Sequence, residues 1–127
     1  MKLKSMCELC LYIKQRPLQK RNIIVLAKKF KFTDDQSARI IGMSLRTFRK
    51  KTLASDLSVL ASEMVIRLSE LYEVGIDTFG DPQLFILWLN SNSIAFGNIK
   101  PALLIESGLG VSLVRDQFTR MQHGILV

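Results

Sequence analysis

Apolar positions recur every three or four residues along most of this chain, and the breaks between runs fall on glycine, proline or a small polar residue able to cap a helix. In PLQKRNIIVLAKKFKF, Leu18, Ile23, Leu26, Ala27 and Phe30 form one stripe and Lys20, Arg21, Lys28 and Lys29 a basic back, which predicts a packing helix. A long helix is expected from a Ser55 or Ser58 cap to Phe79. Leu60, Met64, Leu68, Leu71, Gly75 and Phe79 would face inward and Glu63, Arg67, Glu70, Glu73 and Asp77 outward. Gly80 then ends that helix, Asp81 caps the next and Pro82 occupies its first turn. QLFILWLN is apolar almost all round, so Phe85, Leu87, Trp88 and Leu89 are assigned to the core, with part of that ring expected to face a partner. The polar loop NSNSIAFGNIK follows, then a short helix in PALLIESGLG opened by Pro101, and last an amphipathic helix, VSLVRDQFTRMQ, terminated at Gly124. The fold class is all-α.

One stretch, DDQSARIIGMSLRTFRKK, reads as two short helices split by a glycine. Thr33 caps the first, Asp34 and Asp35 suit the positive end of its dipole, and Ala38, Ile40 and Ile41 are its buried side. Gly42 stands where the chain must turn with positive φ, Met43 plugs the angle between the helices, and Ser44 caps a second helix that begins at Leu45. Phe48 is expected to pack back on the first helix, with the small Ala38 permitting close approach. A recognition helix of this kind points its N-terminal residues at base edges in the major groove. Ser44, Leu45, Arg46, Thr47, Arg49 and Lys50 are therefore the candidate DNA-binding residues, Arg46 and Lys50 to read guanine and Arg49 to grip the backbone. Lys51 stands where such motifs usually place an apolar residue, so either its stem is buried or the second helix is set differently.

Charge sharpens the picture. Residues 1–52 hold 14 Lys and Arg against 3 Asp and Glu, whereas residues 53–127 hold 4 against 8. A cationic front attracts polyanions and releases their counterions on binding; the competing reading is a basic face that only keeps the chain in solution. The division implies an N-terminal helical region, residues 1–56 with the helix-turn-helix at about 33–52, and a second helical domain, residues 57–127.

Candidate chemistry is sparse. CELC at residues 7–10 has no second cysteine pair, and the sole histidine, His123, is at the far end, so Cys7 and Cys10 read as small apolar residues kept reduced, and no metal or cofactor is expected. GLG lacks the Lys-Ser/Thr of a phosphate loop and no carboxylate cluster stands apart from helix surfaces, which argues against an enzyme. No apolar run approaches the roughly 18 residues that span a bilayer, and the N-terminal stretch has no small-residue cleavage site, so a soluble, cytoplasmic protein without a membrane partner is expected.

The order FTDDQSARIIGMSLRTFRKK, DTFGD, LFILWLN, NSIAFGNIKPALLIESGLG and RMQHGILV resembles the Xre/MbcA/ParS-type antitoxins of type II toxin–antitoxin modules, from about residue 33 onward. Where the family has a doubled glycine before its proline, this chain has Gly97, Asn98, Ile99 and Lys100. The resemblance implies an Xre-like helix-turn-helix followed by a helical toxin-binding domain. It also implies a homodimeric, non-enzymatic inhibitor that blocks the active site of a cognate RES-domain, NAD+-degrading toxin and, with it, represses its own operon through operator DNA. By the same analogy Ile94, Phe96, Gly97 and Asn98, with Arg120, His123, Gly124, Ile125, Leu126 and Val127, face the toxin. The alternative is a freestanding dimeric helix-turn-helix regulator whose C-terminal half serves dimerisation.

Overall fold

The computed structural model describes residues 16–124; Cys7 and Cys10, like Ile125, Leu126 and Val127, lie outside the described residues. Among the described residues the secondary structure is helical, with two isolated antiparallel bridges, Gln19 to Asp56 and Ser93 to Ile99, and no sheet. The chain divides into two compact units, one through Ile66 and one from Arg67 onward.

The first unit comprises α1 (Lys20–Phe30), α2 (Asp34–Ile40), α3 (Leu45–Lys50) and the opening turns of α4 (Val59–Phe79). Local chemistry sets the boundaries. The N–H of Gln36 donates to Thr33 Oγ1 at 3.1 Å while Thr33 N–H donates to Gln36 Oε1 at 2.9 Å, a reciprocal cap at the head of α2. Gly42, with φ of 75°, carries the chain out of α2, and the next N–H, of Met43, donates back to the Ala38 carbonyl at 3.0 Å. Ser44 Oγ accepts from Thr47 N–H at 3.1 Å and starts α3. Ile23, Leu26, Phe30, Ala38, Ile40, Ile41, Phe48, Leu57, Ala61 and Val65 are all buried and make this unit's core.

Two expectations fail here. Lys20 does not belong to a solvated basic back: it is 9% exposed and bonded inside the unit. Leu60 does not face inward but is 76% exposed, and α4 instead buries Ala61, Ser62 and Val65. The reason lies in Ser62, whose Oγ accepts from the Leu18 N–H at 3.1 Å and turns that face toward the strand-like entry to α1. Ser58, not Ser55, caps α4, accepting from Ala61 N–H at 3.1 Å.

The second unit holds the rest of α4, α5 (Pro82–Leu89), a 3₁₀ turn (Ile94–Phe96), α6 (Pro101–Leu104) and α7 (Gly108–Gln122). Its core is largely aliphatic, with Leu68, Leu71, Leu89, Ile105 and Val114 buried, and includes an aromatic cluster. Phe79, Phe85, Trp88 and Phe118 meet one another with centroids 5.2 to 5.9 Å apart, several of them tilted or edge to face as ring quadrupoles prefer. Gly75 lies directly under the Phe85 ring, and Gly110 lies so close to the Leu104 backbone that a Cβ would sit 1.7 Å from its carbonyl oxygen. That contact corrects the placement of the last two helices: α6 stops at Leu104 and α7 begins at Gly108, with Ser107 Oγ accepting from Gly110 N–H at 3.2 Å. The core assignment of Leu87 is also overturned, since α5 buries Phe85 and Leu89 while Leu87 is 64% exposed. Six consecutive apolar residues, 84–89, cannot all face one core: Phe85 and Leu89, one helical turn apart, took the inward positions, and Trp88 is half-buried beside them.

Candidate functional site

On α3, Ser44, Arg46, Thr47, Arg49 and Lys50 are exposed and Leu45 is half-buried. The small polar groups are already paired: Ser44 Oγ donates to Thr47 Oγ1 at 2.9 Å while accepting the Thr47 N–H. Arg49 Nε lies 3.6 Å from Asp34 Oδ2, so this cation is tethered to the head of α2 in a solvent-exposed pair of small energetic value. Arg46 and Lys50, one turn apart, have no ion-pair partner among the described residues and are the two cations of α3 open to an external anion. Lys51 resolves its odd position. It follows the helix in extended conformation, φ of −69° and ψ of 141°, with an exposed side chain and a carbonyl bonded to Lys20.

In the second unit the loop after α5 closes on itself. Ser93 N–H donates to the Ile99 carbonyl at 3.1 Å, and the Asn98 N–H donates back to the Ser93 carbonyl at 2.8 Å. Gly97 and Asn98 both take positive φ, 69° and 66°, which makes the turn tight enough for that closure. Ile94 projects from it 86% exposed, whereas Phe96 is half-buried with its ring edge-on to Trp88 at 6.3 Å. Arg120, His123 and Gly124 are exposed at the end of α7, Arg120 reaching the buried Gln117 side chain at 3.5 Å and His123 closing the helix through its N–H. No hydrogen bond or ion pair joins these three residues to the loop among the described residues. The link is indirect, through Trp88, which touches both Phe96 and Phe118 of α7.

The outward apolar side expected of α5 is present, and exposed leucines on α6 and α7, which the sequence reading did not single out, accompany it. Leu84 and Leu87, three residues apart on α5, Leu103 on α6, and Leu109 and Leu113, four apart on α7, are all exposed. Five leucines are thus exposed on three helices of the second unit, in addition to Ile94 of the loop. The signal was present in the continuous apolarity of residues 84–89, which is more than one helix of that length can bury.

The described residues thus form helical units, the first with Arg46 and Lys50 exposed on α3, the second with exposed leucines on α5, α6 and α7 and a closed loop after α5. Among the described residues no group of three or more His, Cys, Asp or Glu is placed to hold a metal ion, and no helix is long and apolar enough to cross a membrane. Residues 75–124 match the family model of the antitoxin Xre/MbcA/ParS C-terminal toxin-binding domain. The match runs from the glycine beneath Phe85 through α5, the closed loop, α6 and α7. It covers 50 of the chain's 127 residues and lies within the second unit. No curated protein matches the chain.

Proposed function

We propose that this chain is the antitoxin of a type II toxin–antitoxin module. Residues 57–127 bind a cognate RES-domain toxin and cover the entrance to the site where it degrades NAD+. The helix-turn-helix at about residues 33–52 holds operator DNA, and a homodimer of the chain, in complex with the toxin, represses its own operon. The observation that carries this reading is the family match over residues 75–124, which spans the closed loop and the helix ending in Arg120 and His123. The exposed Ile94 and the leucines of α5 and α7 support it, because apolar anchors gain most of their affinity in a desolvated interface centre. For DNA, support comes from the basic front of the chain and the free Arg46 and Lys50 on α3.

The test is co-expression with the neighbouring reading frame. The two chains are expected to purify together, and addition of this chain is expected to abolish NAD+ loss caused by the neighbour. NAD+ consumption that continues at saturating concentrations of this chain refutes the inhibitory role. Sequence-selective binding of upstream DNA with no partner ever recovered would instead identify a freestanding regulator.

A further inference from the structure

Lys20 opens α1, yet its ammonium group lies inside the first unit. Nζ donates to the Phe48 carbonyl at 2.6 Å and to the Lys51 carbonyl at 2.9 Å, and sits 4.5 Å from the centroid of the Phe48 ring. Both carbonyls belong to the C-terminal end of α3, where helix carbonyls have no following N–H to accept from and where a cation complements the backbone dipoles. The main chain grips the same segment: Lys20 N–H donates to the Ser55 carbonyl at 2.9 Å and Arg21 N–H to that of Leu53 at 3.0 Å. The N-terminal end of α3 is held by Ser44 Oγ, which accepts from the Thr47 N–H and donates to the Thr47 hydroxyl, while Arg49, in the last turn, adds an exposed pair with Asp34. A six-residue helix is thus secured at both ends by specific polar contacts.

We propose that Lys20 is a positioning residue for DNA recognition: its ammonium, engaged with two carbonyls, sets the C-terminal end of α3 and so the direction in which Arg46 and Lys50 leave the surface. The inference rests on the DNA-binding reading given above. A lysine in so basic a segment would ordinarily be assigned to a phosphate. This one is buried at 9% exposure with two of its three N–H groups on carbonyls, and swinging it out to a phosphate would leave the Phe48 carbonyl without that bond. Base readout, by contrast, needs its side chains held to within about 0.5 Å, which a fixed helix end provides. Lys20 therefore acts on specificity and not on the electrostatic part of the affinity.

Lys20→Met keeps the stem over Phe48 and removes the cation. The full-length variant and the parent chain are titrated with the duplex immediately upstream of the chain's own reading frame and with a random duplex of equal length, across a range of KCl. The upstream-over-random ratio is expected to fall about tenfold or more, a loss comparable to one mismatched base pair, while random-duplex affinity and its salt slope stay as in the parent. A salt slope reduced by about 0.9, with both affinities lowered equally, means a phosphate contact and overturns the proposal. An unchanged ratio overturns it too, including the case where lost stability lowers the active fraction for both duplexes alike. If Lys20→Met fails to fold, Lys20→Arg takes its place; its longer planar head displaces the helix end, the ratio is again expected to fall, and a retained ratio again overturns the proposal. A parent chain with no preference for the upstream duplex removes the DNA reading and this inference with it; preference kept by parent and variant alike removes the inference alone.

Discussion

The two units are both helical, but they expose different chemistry. In the first, the α3 surface is polar and charged, and much of it is already committed locally: Ser44 to Thr47, Arg49 to Asp34, Lys20 to two carbonyls. In the second, the α5, α6 and α7 surfaces present leucine, and the closed loop presents an isoleucine. The contrast is not absolute, since Leu53 and Leu60 are exposed on the first unit. It nevertheless separates two modes of binding. Free cations act over a Debye length and weaken with salt, whereas apolar anchors act only on contact and respond little to it.

Ways of breaking this comparison differ in size. The largest effect is expected from Gly110→Val, which places a side chain against the Leu104 backbone and must push α6 and α7 apart; urea denaturation followed by the fluorescence of Trp88, the chain's single tryptophan, should show a loss of about 3 kcal/mol or more. Ile94→Asp should weaken toxin binding by about 2 kcal/mol or more without moving the denaturation midpoint, because the side chain touches little in the free protein. A midpoint that drops with the affinity would make Ile94 a structural residue. Arg46→Ala should cost about 1–3 kcal/mol of upstream-DNA affinity by fluorescence anisotropy and leave toxin inhibition intact. If both activities fall together, the division of labour is wrong. For the parent chain, log K for DNA should decline with log[salt] at a slope of about −5, as for about six phosphate contacts per dimer, while toxin affinity stays nearly flat. The smallest effect belongs to Glu70→Gln, which breaks an exposed 3.2 Å pair with Arg115 and should cost no more than about 1 kcal/mol in the same urea titration.

Features governed by neighbours three or four residues away were legible in the sequence. The Thr33, Ser44 and Asp81 caps, the Gly42 and Gly80 turns and the burial of Ala38 and Phe48 all follow from local rules, and the structure reproduces each. At the candidate DNA surface, the sequence set Arg46 and Lys50 for base readout apart from Arg49 for the backbone, but it did not reveal the pairing of Arg49 with Asp34, which forms only once α2 and α3 have packed. The apolar loop residues Ile94 and Phe96 were noticed as a pair, yet one is solvent-exposed and the other is set against Trp88.

Lys20 shows where periodicity ran out. It lies three residues before Ile23 on the very stripe that continues through Leu26 to Phe30, so its inward direction was readable, but its charge argued for solvent. Only the folded chain brings carbonyls from 28 and 31 residues away to receive it. The same holds for Leu60 and Leu87, whose apolarity promised burial that Ser62, Phe85 and Leu89 took instead. The sequence by itself determined that this protein is a series of capped helices with a cationic front and an apolar rear. Tertiary structure alone decided which cations stay free and which leucines face outward, because a core of limited volume ranks its candidates by packing and by hydrogen bonds that close across long stretches of chain.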